Sequence, residues 1–261
     1  MYKKIVAKLF AMFEMINPLF FNVLICFFQF INQIRKRPRI LVFTDSRGFE
    51  VTKFWNRKNP FSSYIGRLIF NYNCTVSVCP EKFTSLLDFL DFYERAGNIS
   101  FDCVILHCGI VDFAPRPESS FDQMFSSKQH YNTKYPIFDI INKTNRVSNA
   151  KYQSELTYSF LNEDALSSVI LPEIIKIPNL IYIGINPVLS DWDGNYWRKR
   201  PENINEQLIL DSIMKKELNT SISLAGLTDS EIKVYTSDNV HYTKVGFDFI
   251  YKQLKPMLPK F

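Results

Sequence analysis

Four short polar clusters in this chain carry the side chains best suited to nucleophilic and acid–base chemistry. They are Thr44-Asp45-Ser46-Arg47-Gly48, His107-Cys108-Gly109-Ile110-Val111-Asp112, Asn186-Pro187 and Ser237-Asp238-Asn239-Val240-His241. Between them they offer a hydroxyl, imidazoles and carboxylates, the groups that attack carbonyls and move protons. Each cluster alone also has an ordinary structural reading, since Ser and Asp favour helix N-caps and a histidine inside an apolar run is often simply buried. Their shared setting points further. The chain has only 3 histidines, and two of them, His107 and His241, fall in these clusters.

Each cluster follows an apolar run. Arg39–Thr44, Cys74–Cys79, Phe101–Cys108 and Leu180–Val188 are short and lack polar alternation, as strands buried on both faces do. A fifth, shorter strand is expected over Lys233–Thr236. Helical spacing marks Pro60–Asn73, Thr84–Ala96, Asp164–Ile177, 203–218 and Thr243–Leu258. The alternation predicts an α/β protein, a flavodoxin-like three-layer α/β/α arrangement around a five-stranded parallel sheet. In such sheets ligands bind outside the carboxyl ends of the strands, where the clusters lie. The stretch 113–161, rich in Ser, Asn, Pro and Tyr, is expected as an insertion or lid within a domain spanning 39–261.

The order of the clusters resembles the SGNH (GDSL-like) hydrolase family. Asp45-Ser46 follows strand one, Gly109-Ile-Val-Asp112 follows strand three, and Asp238-Asn-Val-His241 precedes the last helix, with Gly246 five residues on. The resemblance covers about residues 39–261 and implies the SGNH hydrolase fold. It implies that Ser46 is the nucleophile, that His241 takes its proton and returns it to a leaving alcohol, and that Asp238 orients the imidazole. The implied reaction is hydrolysis of an acyl ester or O-acyl transfer, without metal or other cofactor. The implied substrate is an acyl ester, and the apolar N-terminus together with the loop after strand four makes an ester of a bacterial surface carbohydrate the expected one.

The chain departs from the family pattern at three points. Thr44 replaces the glycine before Asp-Ser, Val111 replaces the asparagine that helps form the oxyanion hole, and Pro80-Glu81-Lys82 offers no second-block glycine. Loss of one oxyanion donor typically costs about 100- to 1000-fold in rate. The Ser46 N–H carries over, and Gly109 N–H, Arg47, Arg116 and Asn186 are candidate substitutes, with Asp112 beside them. Past strand four, Asn195, Trp197 and Arg198 suit a sugar or an anionic group, or else an ordinary ordered loop. The departures leave a non-catalytic carbohydrate-binding protein on a decayed hydrolase fold as an alternative, and a membrane-surface lipid esterase as another.

Composition narrows the remaining classes. A net charge of +5, with 31 basic against 26 acidic residues, shows no basic stripe and excludes a typical nucleic-acid binder. The 5 cysteines form no C-x-x-C pair and no zinc-spaced cluster, which fits a reducing compartment. Residues 1–38 form a separate apolar segment with a basic flank. Leu9–Ile31 would reach roughly 34 Å as a helix, but Glu14, Asn17, Asn22 and Gln29 interrupt it and Pro18 falls within it. An interfacial helix or re-entrant hairpin, a transmembrane anchor and a helix packed on the domain all remain open. Arg35, Lys36, Arg37 and Arg39 outweigh the cations before the run, which would keep the main domain cytoplasmic, at the inner face of the membrane.

Overall fold

A computed structural model describes residues 2–97, 99–138, 140, 147–152, 154–194 and 204–261. Its centre is an all-parallel five-stranded sheet of order β2-β1-β3-β7-β8. The strands are β1 (Arg39–Thr44), β2 (Asn73–Val78), β3 (Cys103–His107), β7 (Leu180–Ile183) and β8 (Ser221–Ile222). A second, antiparallel sheet of order β4-β6-β5 lies within the stretch expected as an insertion, from β4 (Arg116–Pro117), β5 (Val147–Tyr152) and β6 (Glu155–Tyr158).

Alternation along each central strand feeds two apolar layers. Leu41, Phe43, Val104, Leu106 and Tyr182 face the helices Leu86–Arg95 and Gln207–Glu217 and the helical stretch from Glu163 to Ile175. Ile40, Val42, Ile105, Ile181 and Ile183 face the helices Tyr64–Asn71 and Lys244–Leu254. Every residue of β1 after Arg39 is buried, which is why its sequence runs apolar without alternation. Local signals start the helices. Ser63 and Thr243 cap theirs through their side chains, and Ser85 with Asp88 closes a capping box.

The fifth strand is not where the sequence pattern put it. Residues Asp229–Tyr235 form a helix, opened by a capping box in which Thr228 and Glu231 exchange side-chain and backbone bonds. The strand is Ser221–Ile222, paired in parallel with Tyr182 and Ile183 of β7. The Thr-Asp-Ser-Glu signature outweighed the short β-branched run that follows it.

The N-terminal helix α1 (Tyr2–Ile34) contains Pro18, and its Lys8–Ile34 portion is long and apolar enough to cross a membrane or to anchor at one. One side of α1 packs on the domain, along the open edge of β2 and against the helix Tyr64–Asn71. Asn17 Nδ2 donates to the carbonyls of Trp55 and Arg57 at 2.9 and 2.7 Å, and Asn32 Nδ2 to those of Ile69 and Tyr72 at 2.9 and 2.8 Å. The helix thereby covers a strand edge that would otherwise be open to pairing.

Candidate active site

The chain runs from β1 out to β2 at one edge, then returns to β3 on the other side of β1. That reversal opens a crevice above the carboxyl ends of β1 and β3, where Thr44 pairs with His107. Asp45 extends the junction, its N–H bonding to His107 O at 3.1 Å. Asp45 then accepts from Arg47 N at 2.9 Å, capping the single turn Ser46–Gly48. The turn leaves Ser46 half-buried at the rim while its neighbours on both sides are buried.

His241 reaches this point from the other end of the chain. Its Nε2 lies 2.9 Å from Ser46 Oγ, and its Nδ1 2.7 Å from Asp238 Oδ2. The other carboxylate oxygen, Asp238 Oδ1, accepts the backbone N–H groups of Val240 at 3.1 Å and His241 at 2.7 Å. With Oδ1 so occupied, Nδ1–H donates to Oδ2 and Nε2 carries the lone pair towards the serine hydroxyl. Asp238 is 2% and His241 7% exposed, so water competes little for these bonds.

The loop carrying this pair is rigid for identifiable reasons. An antiparallel bridge joins Thr236 to Tyr242, and Ser237 N donates to His241 O at 2.7 Å. Between them Asn239 takes φ +72, a left-handed conformation that Asn tolerates better than most residues. Its side chain bonds to Leu189 N at 2.9 Å and to the carbonyls of Leu189 and Trp192, tying the loop to the segment after β7. Gly194, at φ +62, lets that segment press on the loop, since a Cβ there would come within 2.5 Å of Ser237 O. Asn239 and Gly194 are positioning residues that motif reading passed over. The Asn inside Asp-x-x-His was the available cue.

No family model matches this chain, and no curated protein matches its sequence.

Three of the expected oxyanion or substrate contacts are instead spent inside the fold. Arg47 is fully buried. Its guanidinium bonds to both Asp45 oxygens at 3.0 to 3.2 Å and to Gly184 O at 3.1 Å. Burial alone would pull its pKa down, but Asp45 foremost, with Tyr242 and Tyr182, leaves it raised, so the guanidinium stays charged. Asn186 donates to the carbonyls of Pro187 and Asn239, both at 2.8 Å, and accepts from Tyr242 Oη at 3.0 Å. Asp112 is fully buried and accepts from Leu86 N at 3.1 Å on each oxygen, which anchors the first turn of the helix Leu86–Arg95. In each case a polar group too far inside to be solvated found its partners within the fold.

Other candidates sit nearer the rim. Gly109 takes φ +127 at the start of the short helix Ile110–Phe113, and a Cβ there would meet the Phe113 ring at 3.0 Å. Outside helices and strands, the N–H groups of Ser46 and Gly109 donate to no backbone acceptor among the described residues. Arg116 Nε donates to Val111 O at 3.1 Å, and its guanidinium lies 5.6 Å from the Phe83 ring. Asn195, Trp197 and Arg198 lie outside the described residues.

Two further features surround the site. His107 is fully buried, pairs through Nδ1 with Tyr64 Oη at 3.0 Å, and is held neutral by burial and then by Arg47, its pKa pushed well down. It supports the floor of the crevice. At the end of β2, where a second-block glycine was missing, Cys79 takes φ +45 and gives its N–H to Thr44 O at 2.7 Å. A non-glycine thus adopts a conformation that glycine would take at little cost, and its N–H is already engaged.

Proposed function

We propose that this protein is a serine hydrolase or O-acyltransferase of the SGNH type. The observation that carries the reading is the continuous pair of bonds Ser46 Oγ–His241 Nε2 at 2.9 Å and His241 Nδ1–Asp238 Oδ2 at 2.7 Å. A serine hydroxyl is a poor nucleophile until a base removes its proton, and this arrangement supplies the base already aligned. Ser46 Oγ attacks the ester carbonyl as His241 Nε2 accepts the hydroxyl proton. Asp238 stabilises the imidazolium, and His241 then hands the proton to the departing alcohol. Water or a second hydroxyl, activated by the same imidazole, attacks the acyl-enzyme and releases Ser46. The strand order and the position of Ser46 after the first strand support the SGNH fold in particular.

Charge developing on the carbonyl oxygen needs donors, and the N–H groups of Ser46 and Gly109 are the two that this reading assigns. With Val111 carrying no donor and Arg47 and Asn186 engaged elsewhere, the hole rests on backbone. Such an enzyme should be slow beside one with three donors, by about 100-fold or more. The substrate class in this reading is an acyl ester, of which a carbohydrate O-acyl ester is the favoured member.

The experiment is labelling of the full chain by a fluorophosphonate probe, with Ser46→Ala and His241→Ala as controls. A panel of short-chain esters, O-acetylated sugars and phospholipids follows. Labelling at Ser46 that is lost in both variants is the expected result. Absence of both labelling and turnover would discard the catalytic reading in favour of a binding protein.

A further inference from the structure

The N-terminal helix has two faces of opposite character. Of the polar residues along it, Glu14, Asn17, Gln29 and Asn32 are turned to the protein, while Asn22 and Gln33 are exposed. The two asparagines bond to backbone carbonyls, Glu14 pairs with Arg57 at 3.3 Å, and Gln29 Nε2 reaches Thr75 Oγ1 at 3.4 Å. On the other face Met15, Leu19, Val23, Phe27, Phe30 and Ile34 recur every three or four residues and are 56 to 76% exposed. They form one stripe roughly 28 Å long. Soluble proteins rarely leave so long an apolar strip open to water. Cations stand at both ends, with Lys8 exposed at one and Arg35, Lys36 and Arg39 exposed at the other.

We propose that this face is a membrane-docking surface, with the helix lying flat in the headgroup region of one leaflet of an anionic bilayer. The apolar stripe enters the acyl boundary, the cations meet lipid phosphates, and the domain stays on the water side. A spanning orientation conflicts with the packing. It would carry Glu14, Asn17, Gln29 and Asn32 into hydrocarbon, together with the segments they hold, or break every one of those bonds. A second copy of the chain is a poorer partner. Stripe against stripe, parallel packing would set the cluster Arg35, Lys36 and Arg39 against its own copy, and antiparallel packing would set it against Lys8. An anionic lipid surface has the complementary charge.

The test uses the full chain with vesicles of phosphatidylcholine containing about one third phosphatidylglycerol. Cys26 is exposed on the same side of the helix, between Val23 and Phe30. Cys74, Cys103 and Cys108 are buried, and burial pushes the Cys79 thiol up to about 11. A polarity-sensitive fluorophore therefore reports from Cys26. We expect co-flotation with these vesicles, a blue shift of the reporter, and stronger quenching by lipids brominated near the headgroup than by those brominated near the chain ends. Leu19→Glu with Phe30→Glu should lower partitioning at least about tenfold while leaving the thermal melt nearly unchanged, because these side chains are 73 and 63% exposed. Strongest quenching at the bilayer centre would overturn the proposal in favour of a span. No vesicle binding by the unsubstituted chain would overturn it outright, and a dimer in light scattering that the double variant dissolves would assign the stripe to a second copy.

Discussion

At the scale of single residues, the site divides into groups that face the crevice and groups that hold it. Ser46→Ala should reduce ester turnover to background. Asp238→Asn should keep the fold and lower kcat by roughly 1000- to 10,000-fold, because it favours the wrong imidazole tautomer. Steady-state kinetics on an ester that labels Ser46 checks both. Arg47 belongs to the second kind. Its place directly after the proposed nucleophile made it an oxyanion candidate, but its side chain runs inward to Asp45. Arg47→Ala leaves an uncompensated buried carboxylate and should cost about 3–5 kcal/mol of stability, measured by denaturant unfolding. Normal stability in that variant would show that the pair is not buried. Asp112 gives a pH signature. Burial first, and Asp88 in addition, raise its pKa from 3.8 to about 8, against the opposing Leu86 N–H. Between those values the folded chain holds a proton that the unfolded chain has lost. Stability from this group is therefore full below the lower value, falls as pH rises, and is gone above about 8. Asp112→Asn lacks the titration, so the melts of the two proteins should diverge between pH 5 and 8 by about 1 kcal/mol or more, the wild type falling.

At the scale of elements, the loop from Thr236 to Tyr242 decides whether the proposed triad is aligned. Its shape depends on Asn239 in a left-handed conformation and on the segment after β7 that Asn239 grips. Asn239→Gly retains the backbone preference but deletes the grip. It should lower kcat about tenfold with a small change in melting temperature, since a modest displacement of His241 is enough to misalign the proton transfer. Unchanged kinetics would mean that the bridge between Thr236 and Tyr242 suffices. The same region shows what short-range patterning can and cannot decide. Lys233–Thr236 carries β-branched residues and reads as strand, yet Thr228 and Glu231 had already begun a helix at Asp229. The true fifth strand, Ser221–Ile222, is two residues long and is a strand only because Tyr182 and Ile183 offer it a free edge.

At the scale of the whole molecule, the N-terminal helix is attached to the domain by few but directional bonds. Asn32→Ala leaves the carbonyls of Ile69 and Tyr72 without their donor and should destabilise the chain by about 1–3 kcal/mol. If the helix were an independent anchor, that substitution would leave the melt unchanged. Removing residues 1–34 should cost more still, because it bares the edge of β2 and the rings of Phe61 and Phe70 that pack against Phe28.

The sequence alone determined the parallel α/β plan, four of the five central strands, and the positions of Ser46, Asp238 and His241 at loop ends, because those follow from local periodicity and short motifs. The fates of Arg47, Asp112 and Asn186 were decided only by tertiary structure. A polar side chain beside a strand end can point to solvent or to the core with equal local ease, and the choice falls to whichever partners the rest of the chain brings within bonding distance. The same holds for the first 34 residues. Their composition was consistent with crossing a membrane, lying on it or packing on the protein, and only the tertiary structure shows that one face packs on the domain, where backbone carbonyls satisfy its asparagines.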